Sequence, residues 1–253
     1  MELDIFSAAT LIVLGFLGAF INAVVGGGGL ITVPALLAVG LPPTMAIGTN
    51  KLAATLGNLT SMLTFLRAGK VSFRLLAPVL PLVFIGSMSG ASVVHLLPAE
   101  VLKPMIIVLL IAVLIYSLVK KNLGQAVAGQ AAGRLRLLSG CVLLILIGFY
   151  DGFFGPGTGS FMIFVLLFMG FDFMQAAGSS KLLNLVSNSA ALLVFLWHGS
   201  VHFTYGMVLA VSMIAGAYAG SRLALSKGTG FVRVLFIVVT AVLIAKNLYD
   251  FYR

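Results

Sequence analysis

Apolar residues run along this chain in blocks of about twenty, and the polar residues between them fall in short clusters. Blocks of that length match an α-helix crossing a hydrocarbon core of about 30 Å at 1.5 Å per residue. The pattern predicts a first helix over 5–25, a break at Gly26-Gly27-Gly28-Gly29 and a short apolar segment over 30–40. A turn at Leu41-Pro42-Pro43-Thr44, with Thr44 expected as the N-cap, leads into a span over 45–66. Further spans are predicted over 75–97 and 104–119. The second half predicts a helix over 137–153, a break over 154–159, a short segment over 160–170, and spans over 174–197, 203–225 and 231–249.

The second half repeats the first in register. Phe20 matches Phe149, Gly26 matches Gly155 and Gly28 matches Gly157, each 129 residues on. After one inserted residue, Gly29 matches Gly159, Gly48 Gly178, Lys51-Leu52 Lys181-Leu182, Asn58 Asn188, Gly86 Gly216 and Gly90 Gly220, each 130 residues on. An apolar composition does not supply lysines and asparagines at matched positions freely. The expected organisation is a first transmembrane repeat (1–120), a polar linker on the cytoplasmic side (121–136) and a second transmembrane repeat (137–253).

Composition changes the picture by exclusion. The chain is 61% hydrophobic and 8% charged, with a mean hydropathy of +1.19. A soluble domain carries about 25% charged residues, so no room is left for one. The net charge of +9 gathers in a few loops without interleaved aromatics, which excludes a nucleic-acid surface and points to topology. The Lys/Arg-rich segments 67–74, 120–136 and 222–233 are expected in the cytoplasm, and both termini on the opposite side. Loop 67–74 and its repeat partner 197–204 then face opposite sides, so the halves have inverted topology. Each broken element is either a re-entrant pair or two crossings. The short arms 30–40 and 160–170 favour re-entrant segments that meet at the midplane.

The chemistry is expected at those breaks. Non-helical backbone survives at membrane depth only where protein buries it or it lines a wet cavity. Glycines let the chain turn sharply and a ligand approach closely, and the helix restarting after a break aims its N–H groups at that ligand. Gly26–Gly29, Gly155 and Gly157 are therefore candidate anion-binding positions; close helix packing is the alternative. Lys51 and Lys181 sit within apolar helices, where a lysine faces a cavity or partner unless it snorkels to an interface. Asn50, Ser180, Asn58 and Asn188 add hydrogen-bonding groups on the same helices. Asp151 is the acid deepest in an apolar segment, and its repeat partner is Asn22. It either carries a proton or forms a static ion pair with Lys181 or Lys51. Cys141 stands alone, His95, His198 and His202 lie at helix ends, and Trp197 suits an aromatic belt, so no metal site and no cofactor are expected.

At these residues the sequence resembles the TauE/SafE (TSUP) family of membrane permeases. The resemblance rests on Ala23-Val24-Val25-Gly26-Gly27-Gly28-Gly29-Leu30, Thr49-Asn50-Lys51 and Gly148-Phe149-Tyr150-Asp151-Gly152-Phe153-Phe154-Gly155-Pro156, which are closest to the YfcA-type branch. It covers nearly the whole chain and implies a bacterial inner-membrane transporter of small anions such as sulfite and organosulfur anions. Pro156 and Thr158 depart from the first glycine motif, so the two halves of the site need not be equivalent.

The expectation is thus an all-α polytopic membrane protein, not an enzyme. It is read as a secondary transporter of a small anionic substrate across a lipid bilayer, by alternating access coupled to a proton or ion gradient. A passive anion channel and a non-transporting scaffold or assembly factor are the alternatives. An intramembrane enzyme would want a Ser–His or Cys–His pair at depth, which the sequence does not offer.

Overall fold

The computed structural model describes residues 4–98, 100–102, 104–106, 108–109 and 133–251, with 229–251 described by backbone alone. Most of the expected span 104–119 and residues 121–132 of the linker lie outside the described residues. Among the described residues the regular structure is helical throughout. The helices are α1 (Ile5–Val25), α2 (Gly29–Ala38), α3 (Pro43–Arg67), α4 (Phe73–Leu76), α5 (Leu80–Leu96), α6 (Arg134–Phe153), α7 (Thr158–Phe168), α8 (Phe173–Trp197) and α9 (Phe203–Phe251). Four described helices are long and apolar enough to cross a membrane: α1, α6, α8 and the Phe203–Gly228 part of α9. At 25 residues α3 is as long as α8, but it falls short in hydropathy because of its polar residues.

Local chemistry explains the boundaries, including three that differ from expectation. Thr44 is not an N-cap: α3 starts at Pro43, whose fixed φ suits the first helical position and whose missing N–H needs no partner there. The expected span 75–97 is interrupted. Pro78 has no N–H to continue a helix, so the chain makes the four-residue α4, turns, and starts α5 at Leu80. The last two expected spans are continuous backbone helix except at Gly228, where φ 70° and ψ −169° break the run. Asp4 and Asp172 cap α1 and α8 by accepting from the Ser7 and Gln175 N–H groups at 3.1 and 2.9 Å.

Both broken elements are hairpins. Gly18 of α1 packs against Ile31 and Thr32, and Gly28 packs against Asn22, so α2 runs back along α1. In the second half Tyr150 meets Phe161, Gly140 meets Met169, and the Arg136 guanidinium lies 5.0 Å over the Phe168 ring. Each short arm therefore returns toward the side from which its long arm entered, as a re-entrant segment does.

The halves exchange their later helices. α5 packs along α6 and α8, while α9 packs along α1 and α3. The contacts match by repeat position: Gly86 and Gly90 lie against the Ile145 and Phe149 carbonyls, Gly216 and Gly220 against the Phe16 and Phe20 carbonyls. A Cβ at Gly90 would stand 2.0 Å from the Phe149 oxygen, so the helices touch backbone to backbone. Close approach through small residues is what holds helices together in lipid, where apolar burial gives no driving force between them. α3 and α8 cross antiparallel at the centre: Gly48 packs on Phe195, and Gly178 on Phe65. The outside is apolar, with Ile12, Val13, Ile85, Leu146, Leu193 and Val211 exposed, whereas buried lysines and amides gather inside. That inside-out distribution is the one a bilayer imposes.

Candidate functional site

The two breaks meet. Gly26 ends α1 with φ +87°, and a Cβ there would come within 2.3 Å of the Gly159 carbonyl carbon. Only glycine both adopts that φ cheaply and leaves room for the other break. Across the contact the Ser160 hydroxyl donates to the Val25 carbonyl at 2.7 Å. Gly155 and Gly157 also have positive φ, and Tyr150 secures the second turn by donating to the Pro156 carbonyl at 2.9 Å.

Beside this crossing lies a small cavity of about 30 Å³. Its wall takes Gly26, Gly28 and Gly29 from the first break, Gly155 and Gly159 from the second, and Asn50, Lys51, Asn58, Asp151, Asn184 and Asn188 from the long helices. Of the candidates read from sequence, Gly26, Gly28, Gly29, Asn50, Lys51, Asp151 and Gly155 are thus brought together. Gly27, Gly157, Ser180 and Lys181 are buried nearby but do not line the cavity. A Cβ at Gly27 would point at Leu30, 3.9 Å away, and the Ser180 hydroxyl is spent on the Ala177 carbonyl at 2.7 Å. Asn184 is a lining residue the motif reading missed. Its signal was its place three residues after Lys181 and four before Asn188, one polar stripe along α8.

The two lysines have matched but unequal partners. Lys51 donates to the Asp151 backbone carbonyl and pairs with its carboxylate at 3.2 Å, with both side chains almost fully buried. The other carboxylate oxygen accepts from the Ser187 hydroxyl and from the Asn188 amide at 3.1 Å. Of the two lysines considered as partners of Asp151, Lys51 is the one it meets. Lys181 makes the equivalent bond to the Asn22 backbone carbonyl, and the Asn22 amide donates to Asn58 at 3.0 Å. Asn22 carries no charge, so among the described residues Lys181 has no ion-pair partner. Two more buried groups on the cavity wall have no hydrogen-bond partner: the Asn50 Oδ1 and the Asn184 Nδ2. No group of three or more His, Cys, Asp or Glu able to hold a metal occurs among the described residues.

A buried polar centre at crossed, broken helices in an apolar bundle is the arrangement of a membrane carrier. Comparison with known proteins agrees, for the sulfite exporter TauE/SafE family model matches residues 11–247. The chain belongs to that family. It is 38% identical over 251 residues to a probable membrane transporter protein of Haemophilus influenzae, covering 99% of this chain and 98% of that one. It is 40% identical over 240 residues to the probable membrane transporter protein YfcA of Escherichia coli K12, covering 92% and 87%. The probable membrane transporter protein ORF9 of a Sinorhizobium species is 37% identical over 243 residues, covering 96% and 92%. No solved structure matches. The protein is a multi-pass membrane transporter of the TauE/SafE family.

Proposed function

We propose that this protein is a secondary transporter of a small anion, sulfite or an organosulfur anion of the sulfonate type, working by alternating access around the central cavity. The observation that carries the reading is the burial of two lysines at the crossing of two broken helices, with one carboxylate among the described residues to neutralise them. An isolated buried ammonium is costly, and an anion in the cavity offsets that cost. At the start of α2 the Leu30, Ile31 and Thr32 N–H groups donate to the Gly27 and Gly28 carbonyls, so this helix end adds its positive dipole rather than free donors. The family's sulfite-exporter description favours sulfur oxyanions over other small anions.

Coupling to a proton or ion gradient is assigned to Asp151. Its ion pair with Lys51 closes one side of the cavity, and a proton on the carboxylate breaks that closure. The two halves are inverted in the bilayer, so rocking one against the other exposes the cavity to each side in turn. The protein resides in the bacterial inner membrane, with its basic loops in the cytoplasm and its termini on the other side.

Uptake of labelled sulfite and a sulfonate panel into proteoliposomes tests this, with and without an imposed pH gradient. Saturable flux that follows the gradient is expected, lost in Lys51→Ala and Lys181→Ala and uncoupled in Asp151→Asn. Flux that neither saturates nor runs uphill would make the protein a channel. No flux of any anion from folded protein would favour a scaffold.

A further inference from the structure

With Lys51, Lys181 and Asp151 ionised, the described polar centre carries one positive charge in excess. That excess belongs to the second lysine. Lys51 has its carboxylate, whereas among the described residues Lys181 has only the Asn22 carbonyl, which belongs to a residue of the cavity wall. Repeat register makes the asymmetry specific: Asn22 stands where the other half has Asp151, and the two positions differ in charge but hardly in shape. A separate observation points to a ligand in the cavity beside it. The Asn184 Nδ2, a donor, is buried on the cavity wall without a partner, and an anion there would accept from it.

We infer that Asn22 sets the charge of the substrate: by withholding a second carboxylate it leaves Lys181 as the counter-ion for one anion of single charge. The inference rests on the anion reading above and sharpens it. A monoanion neutralises the centre, a dianion overshoots it, and a second acid at position 22 supplies that negative charge from within the protein. Asn58, which now accepts from the Asn22 amide, would turn its own amide toward an aspartate there, as Asn188 does to Asp151.

The test is a thermal-shift series on purified full-length protein in detergent at pH 7.5. Formate and methanesulfonate serve as monoanions, sulfate and malonate as dianions, all at equal ionic strength. Wild type is expected to be stabilised by the monoanions at concentrations at least tenfold below any effect of the dianions. Asn22→Asp should lose that stabilisation. The charge-swapped double variant Asn22→Asp/Asp151→Asn, which keeps one carboxylate in all, should regain it. Monoanion stabilisation that persists in Asn22→Asp would overturn the inference, as would dianions acting as strongly on wild type. If Asn22→Asp alone does not fold, the swapped variant decides, and loss of its monoanion response counts against the idea. Wild type that responds to no anion would sink the anion reading itself. A response without the valence pattern removes only the role of Asn22.

Discussion

Asp151 and Asn22 occupy matched places yet do different work, and the difference can be measured one residue at a time. Asp151 accepts from Lys51, Ser187 and Asn188, so its carboxylate is held by donors on three sides. Removing one member of a buried ion pair typically costs about 3–5 kcal/mol, because the other charge stays behind unpaired. Asp151→Ala and Lys51→Ala should each lower the unfolding midpoint clearly. The double variant should be less destabilised than the two losses added, and a double-mutant cycle reads the coupling. Additive losses would mean that the pair is not a unit. The glycines separate in the same way. Gly26→Ala forces a left-handed φ on alanine and drives a Cβ into the Gly159 backbone, whereas a Cβ at Gly27 finds its nearest neighbour 3.9 Å away. Gly26→Ala is therefore expected to abolish monodisperse protein in size-exclusion profiles, and Gly27→Ala to cost no more than about 1 kcal/mol. The glycine run was legible in the sequence, but which glycine the fold needs was not. That depends on the other break, about 130 residues away, lying against Gly26.

At the scale of elements, two loops close the centre from opposite ends in matched fashion. The His202 N–H donates to the Thr49 hydroxyl at 2.9 Å, and the Ser72 N–H donates to the Ser179 hydroxyl at 3.1 Å. Behind these bonds Gly48 lies against the Ser200 carbonyl and Gly178 against the Lys70 carbonyl, so each loop rests on the start of a long helix from the other half. The His95 ring stacks on His198 at 4.0 Å and reaches the Ser200 hydroxyl at 3.2 Å, which adds weight to one closure and not the other. If these are the two gates of an alternating carrier, Thr49→Val and Ser179→Ala should loosen opposite doors, each by about 1 kcal/mol for the lost bond. Labelling of an Asn50→Cys reporter in a Cys141→Ser background, with a membrane-impermeant maleimide applied from either side, reads the result. Faster labelling from opposite sides in the two variants is expected; acceleration from the same side would refute the assignment. The register of the repeat made the loops comparable in the sequence. Their latches were not visible there, because they join each half to the other, and spacing within a helix carries no information about what crosses it. The break at Pro78 was missed for a simpler reason: a long apolar run outweighed one missing N–H.

Over the whole molecule, the antiparallel crossing of α3 and α8 has a consequence for topology. α1, α3 and α9 run one way, since Gly15 meets Leu209, Phe20 meets Gly220 and Gly57 meets Met213; α5, α6 and α8 run the other way. The end of α3 at Arg67, the start of α6 at Arg134 and the stretch of α9 from Arg222 to Lys227 therefore share one end of the bundle, although they are far apart in sequence. Positive charge collected at one end is what the positive-inside rule reads, and it supports the proposed orientation with that end in the cytoplasm. Trp197, the repeat partner of Arg67, then marks the opposite face, where it is 89% exposed in the manner of an interfacial aromatic. Single cysteines at Arg67 and Trp197, again in a Cys141→Ser background, turn this into a direct measurement. An impermeant maleimide added to intact cells should label Trp197→Cys at once and Arg67→Cys only after permeabilisation. The reverse pattern would turn the molecule over in the membrane. Labelling of both from outside would be worse for the proposal, since repeat partners on one side cannot belong to inverted halves. The same geometry would then have to work without the exchange of sides on which alternating access around Lys51 and Lys181 depends.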